Sequence, residues 1–230
     1  MPELISKRLL RYVLAAVAGF AVNHASAGNQ QYEPLAASMQ AALHSSVADR
    51  ARPKLVFASP DEGELWLGEM SRRLAKRIPD AQSRLDFLVT VQYEAKRAGL
   101  DPELVLGLID TESKFRKYAV STVGARGYMQ VMPFWVSLIG NREHNLFNLR
   151  TNLRYGCIVL RHYLDIERGD LYRALARYNG SLGKRSDYAD KVMRAWQTRF
   201  AYSTPALTRV LAKAPRPLEY RPLEYRGEVQ

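Results

Sequence analysis

The stretch Asp101-Pro-Glu-Leu-Val-Leu-Gly-Leu-Ile-Asp-Thr-Glu-Ser113 decides how this chain reads. Asp101 can cap the amino end of a helix and Pro102 fits its first position, so a helix of about three turns is predicted from there. Leu104, Leu108 and Glu112 then fall four apart on one stripe, with Val105 and Ile109 beside them. A carboxylate therefore stands where the next apolar residue belongs. Shielded from water, such a group holds its proton to higher pH than a free glutamate, because desolvation penalises the charged form. That suits it to general acid work near neutral pH. The segment alone leaves a second reading open, a frayed helix end with Glu112 turned to solvent.

Composition bounds the rest. Of 230 residues, 47% are hydrophobic and 25% charged, the profile of a soluble globular protein with one good core. At the amino end Lys7, Arg8 and Arg11 precede an apolar run over 12–22, and Ala25-Ser26-Ala27 has the small-x-small form of a cleavage site. Residues 1–27 thus read as a secretory signal peptide, the alternative being an uncleaved anchor. Export implies an oxidising, periplasmic setting, yet Cys157 is the one cysteine, so no intramolecular disulfide can form. Flanked by Ile158 and Leu160, Cys157 reads as a small buried hydrophobe. The formal charge of +11 favours acidic partners. For an exported protein these are cell-wall polymer and anionic lipid. No interleaved basic and aromatic pattern points to nucleic acid.

Apolar spacing predicts an all-α protein. Residues 28–62 carry prolines at 34, 53 and 60 without a sustained period and read as a flexible linker with one short helix at 35–43. Helices are then expected from 64 to a stop before Pro79, over 83–98, over 133–139, over 151–168, over 171–178 and from 188 to about 200. The basic face of the first of these, Arg72, Arg73, Lys76 and Arg77, reads as solvated surface or as a seat for an anionic polymer. Residues 63–203 form the expected catalytic unit. The carboxyl end repeats Arg-Pro-Leu-Glu-Tyr at 216–220 and 221–225, too few copies for a solenoid, so 204–230 read as a tail.

Two more stretches join Glu112. Gly124-Ala-Arg-Gly-Tyr-Met-Gln-Val-Met-Pro133 sets glycines among Tyr, Met and Gln, a composition that lets backbone approach a ligand. Arg177-Tyr-Asn-Gly-Ser181 ends a helix with a phenol and an amide. Together with Glu112-Ser113 they resemble the soluble lytic transglycosylases, whose catalytic domain is goose-lysozyme-like, over roughly residues 85–200 and in that family's order. The resemblance implies that Glu112 is the single catalytic acid and base. It implies a substrate groove built from Ser113, Ser121, Gly127, Tyr128, Gln130, Met132, Tyr178 and Asn179, with the Tyr178 hydroxyl on the catalytic carboxyl. Asn152 and Gly156 match residues of a helix packed behind the site. The chain departs from the pattern at Tyr128, which replaces a Leu and could stack on a sugar, and at Arg177, which replaces an Ala and could meet an acidic group on the glycan or its peptide.

Ordinary glycoside hydrolysis uses two carboxylates. Asp110 should face another way, and Glu143 and Asp165 lack surrounding motifs. The resemblance implies a different route, in which Glu112 protonates the bond between N-acetylmuramic acid and N-acetylglucosamine and then deprotonates the C6 hydroxyl, giving a 1,6-anhydro end. A lysozyme-type hydrolase and a non-catalytic wall-binding protein of a secretion or cell-wall machine stay open as alternatives. No cofactor is required for this chemistry, and His44, His144 and His162 form no zinc-ligand pair at helical spacing. The expected partner is the peptidoglycan strand, met by a monomer.

Overall fold

The computed structural model describes residues 30–48 and 51–203. The expected signal peptide and carboxyl-terminal tail lie outside them. Within the described residues eight α-helices follow in order: α1 (Ala37–Ala48), α2 (Pro60–Leu74), α3 (Ala81–Arg97), α4 (Pro102–Glu112), α5 (Phe134–Ile139), α6 (Leu149–Ile166), α7 (Leu171–Asn179) and α8 (Tyr188–Ala195). A π-helical turn, Trp196–Phe200, continues α8. Among the described residues there is no strand, only isolated bridges that pair Val120 with Arg126 and Arg126 with Val131.

Helix α4 is the axis of the molecule. Asp101 caps it as its sequence implies, its carboxylate accepting from the backbone N–H of Glu103 at 2.7 Å and of Leu104 at 3.2 Å. Leu104 to Asp110 is buried on every side. A short helix of this kind is held by packing rather than by propensity. α3 lies against it, and α8 with its π turn covers it from the far end of the sequence. Leu106, Leu108 and Ile109 are wholly enclosed, each contributing about 1.5–3 kcal/mol of transfer free energy. Leu108→Ala alone would cost about 2–5 kcal/mol.

A second layer is formed by α6, packed on α3 and α7. Its inward stripe, Leu153, Cys157, Leu160 and Tyr163, is the one its spacing predicts. Burial pushes the Cys157 thiol well above its ordinary range, which leaves it unreactive. Between α3 and α6 the buried Glu94 carboxylate takes Arg154 at 2.9 Å, Arg97 at 3.1 Å and Arg150 at 3.3 Å. A charge so enclosed persists only because it is paired on several sides.

The segment expected to be a linker behaves differently. α1 runs to Ala48 rather than ending at 43, and it packs on α5 and α6 through Leu43 and Val47. Further on, the backbone of Val56 exchanges two hydrogen bonds with the Gln92 amide, at 2.9 and 2.6 Å. α2 begins at Pro60, earlier than its apolar period shows, because Ser59 caps it and Pro60 opens it. These anchors use side-chain amides and single apolar residues, so they leave no periodic trace.

Candidate active site

Glu112 is the last residue of α4 and only 3% exposed. It is therefore not the solvent-turned helix end that the segment alone allows. Immediately beyond it the chain takes a costly path, with Lys114 at φ 53° and Phe115 at φ 62°. Two successive side-chain-bearing residues in the left-handed region cost about 1–2 kcal/mol each. Phe115 holds the turn by inserting its ring between Phe87, at 5.8 Å between centroids, and Phe200 of the π turn, at 5.9 Å. The strain sits directly beside the acid and fixes the direction in which the helix delivers it.

The Tyr188 hydroxyl, at the first position of α8, donates to Glu112 Oε1 at 2.5 Å. Burial and the Glu112 carboxyl push the Tyr188 phenol far above its usual range, so it stays protonated and acts as a donor. Tyr178 is also enclosed and also held neutral by burial, with the Glu112 charge adding to the effect. Its proton, however, goes to the Met129 carbonyl at 2.8 Å. The phenol that donates to Glu112 is Tyr188, whereas the Tyr178 hydroxyl, which the resemblance sets on the carboxyl, donates to the Met129 carbonyl.

The glycine-rich turn over 127–130 is clamped from behind by Asn152 of α6. Its Oδ1 accepts from Met129 N at 2.8 Å, while Nδ2 donates to the carbonyls of Arg126 at 2.8 Å and Leu146 at 2.9 Å. Gly127 sits at φ +75°, where a Cβ would lie 2.4 Å from Asn152 Nδ2. At Gly156 a Cβ would lie 2.3 Å from Met129 Sδ, so the missing side chain is what seats Met129 on α6. The resemblance gives Asn152 and Gly156 a place behind the site, and this is the geometry of that place.

Several candidate substrate contacts are occupied with building the site. Gln130 is buried at φ 48°, and its amide nitrogen donates to the carbonyls of Gly127 at 2.9 Å and Ala119 at 3.1 Å. Ser113 is enclosed, its hydroxyl donating to Ile109 O at 3.2 Å as α4 ends. The Tyr128 ring packs on Phe87 at 4.9 Å between centroids, which makes it a core contact rather than a free platform for a sugar. Ser121 is half-buried and its Oγ accepts from Ala125 N at 3.0 Å. Met132 is half-buried, and Asn179 closes α7 beside Gly180, a left-handed cap.

The other buried carboxylates among the described residues are committed elsewhere. Asp110, two positions before Glu112, faces Arg199, with Lys114 at 3.7 Å and Arg77 at 3.9 Å. Glu94 holds its three arginines. Glu143 and Asp165 are exposed, the latter paired with Arg161. Sequence reasoning missed Tyr188. The available signal was its position at the start of an amphipathic helix whose buried face is Tyr188, Ala189, Val192 and Ala195.

This helical arrangement, with Glu112 enclosed at the end of α4, a phenol on that acid and a clamped glycine turn, is lysozyme-like. Residues 90–199 match the family model described as "Transglycosylase SLT domain". The chain is 33% identical over 137 residues to the "Transglycosylase" of Enterobacteria phage PRD1, covering 57% of this chain and 51% of that protein. It is 49% identical over 47 residues to the "Membrane-bound lytic murein transglycosylase C" of Actinobacillus pleuropneumoniae serotype 5b, covering 20% of this chain and 13% of that protein. The protein of the same description from Haemophilus influenzae is 45% identical over 47 residues. The chain thus spans about half the length of the phage relative and a smaller share of the others.

Proposed function

We propose that this protein is a peptidoglycan lytic transglycosylase, cleaving the β-1,4 bond between N-acetylmuramic acid and N-acetylglucosamine to leave a 1,6-anhydromuramyl end. The observation that carries the reading is the setting of Glu112: an enclosed carboxyl oriented by a neutral phenol, while the buried carboxylates Asp110 and Glu94 are held by cations. One residue then serves both turns of the reaction. The Glu112 acid gives its proton to the glycosidic oxygen as the bond to C1 breaks, and the substrate's acetamido oxygen stabilises the positive carbon. The resulting carboxylate takes the proton of the C6 hydroxyl, whose oxygen closes on C1. No water is consumed, and Glu112 ends as it began, protonated. The internal hydroxyl replaces a bimolecular attack by a unimolecular one.

The Tyr188 hydrogen bond supports the first turn, since a donated proton stabilises the carboxylate that forms as Glu112 gives up its own. The family of the 90–199 segment and the names of the relatives support the substrate class. Residues 63–203 are the proposed catalytic unit, acting in the cell envelope where its polymer lies. The test is mass spectrometry of the products from purified sacculi. Muropeptides with anhydro ends support the reading; products carrying only reducing ends would make the protein a lysozyme-type hydrolase.

A further inference from the structure

Residues 30–33 lie against the glycine-rich segment and the end of α7. The Gln30 side chain is 2% exposed, and its amide bridges the backbone of the glycine-rich segment, Nε2 donating to Gln130 O at 3.1 Å and Oε1 accepting from Met132 N at 3.0 Å. Three positions on, Glu33 Oε1 meets Arg177 Nη1 at 2.7 Å, immediately before Tyr178 and Asn179. Between them Tyr32 sets its ring edge-on against Phe134 at 5.7 Å. An amide and a carboxylate from one short peptide thus stand on the backbone of Gln130 and Met132, two residues expected along the substrate groove, and on Arg177, the cation just before Tyr178.

The outer end of the attachment is wet: Tyr32 is exposed and the Glu33 side chain is 48% exposed, whereas Gln30 at its inner end is buried. An ion pair so wetted contributes little. Arg177 does not depend on Glu33 for its place, because Glu167 holds the guanidinium at 2.6 Å through Nη2 and at 2.7 Å through Nε. When Glu33 leaves, Arg177 stays in position with one face of its fork vacated.

We propose that residues 30–33 are an internal competitor of the glycan, the Gln30 amide filling an acetamido contact and Glu33 occupying Arg177, the cation that receives a carboxylate of the incoming wall polymer. This rests on the glycan-cleaving reading of the site. A tethered competitor acts at high effective concentration, so it raises the glycan concentration needed to fill the groove without touching the chemistry. Its removal should therefore lower KM and leave kcat alone.

The test measures binding by calorimetry on the full chain carrying Glu112→Gln, which prevents turnover. The two probes are a neutral N-acetylglucosamine oligomer and a muramyl glycopeptide with free carboxylates. Adding Gln30→Ala with Glu33→Ala should tighten both by about tenfold, which is 1.4 kcal/mol. Glu33→Ala alone should favour the acidic probe over the neutral one, and Arg177→Gln should reverse that preference. Unchanged affinities in the double variant overturn the competitor, and equal gains for both probes in Glu33→Ala overturn the role of Arg177. Because Glu33 is exposed, that variant decides the question even if Arg177→Gln unfolds. Absence of any cleavage product from the native protein would instead defeat the glycan-cleaving reading itself.

Discussion

Tyr188 and Glu112 are 76 residues apart in the chain and 2.5 Å apart in space, the phenol donating to the carboxyl. α8 reaches the acid because it packs along α4, and the π turn that follows buries Phe200 against Phe115 at the strained bend after Glu112. The acid and its donor are therefore set by one packing event between the middle and the end of the domain.

Tyr188→Phe should lower kcat about 10- to 100-fold with little change in KM, the loss of one hydrogen bond to a charged group. Losing the donor destabilises the carboxylate, so the protonated acid persists to higher pH and the basic limb of the pH–rate profile should move upward. An unmoved profile would reduce Tyr188 to a packing residue. Tyr178→Phe should act differently, through the Met129 carbonyl it leaves without its phenol. Its effect should appear in KM and thermal stability more than in the pH profile.

The glycine-rich turn offers a structural test. Gly127→Ala puts a methyl group 2.4 Å from Asn152 Nδ2 at a positive φ, and should destabilise the fold by about 2–4 kcal/mol. Asn152→Ala removes three hydrogen bonds from the same turn and should cost a similar amount. Denaturant unfolding of both, and of the pair combined, checks this. The double variant should cost less than the sum, because each single change already frees the turn.

At the opposite end of α4, Glu103 has its pKa pushed up to about 8 by burial, with Asp101 adding to the rise, while Trp66 Nε1 donates to it at 2.5 Å. A carboxyl whose folded pKa lies above its unfolded one binds its proton more tightly when native. Stability should therefore fall as pH rises from about 4.5 to about 8, at no more than about 1.4 kcal/mol per pH unit and less where water reaches the group. Glu103→Gln should flatten that slope in thermal melts. A slope identical to the native protein's would remove Glu103 as its source.

Local signals made much of this molecule readable. Asp101 and Pro102 mark the start of α4 because capping is a matter of neighbouring atoms, and the 153, 157 and 160 stripe of α6 follows from helical spacing alone. Glu112 could be picked out because it breaks an apolar stripe. The roles around it were less legible. Ser113 and Gln130 share motifs with the acid, yet their side chains serve the backbone that shapes the site. Tyr188 carries no motif, and which of two buried phenols reaches the carboxyl depends on how α8 crosses α4. Residues 30–62 hid their packing for a related reason. Gln30 and Gln92 anchor them through amide bonds to backbone, and such contacts leave no hydrophobic period to read.

The most direct measurement compares the native protein with Glu112→Gln on purified sacculi, counting anhydromuramyl ends by mass spectrometry and checking each protein's thermal unfolding. The amide keeps the size and can still accept from Tyr188, but it has no acidic proton to give. Anhydro ends should disappear while the melting transition stays within a few degrees of native. Anhydro ends formed at the native rate by a folded Glu112→Gln protein would contradict the account.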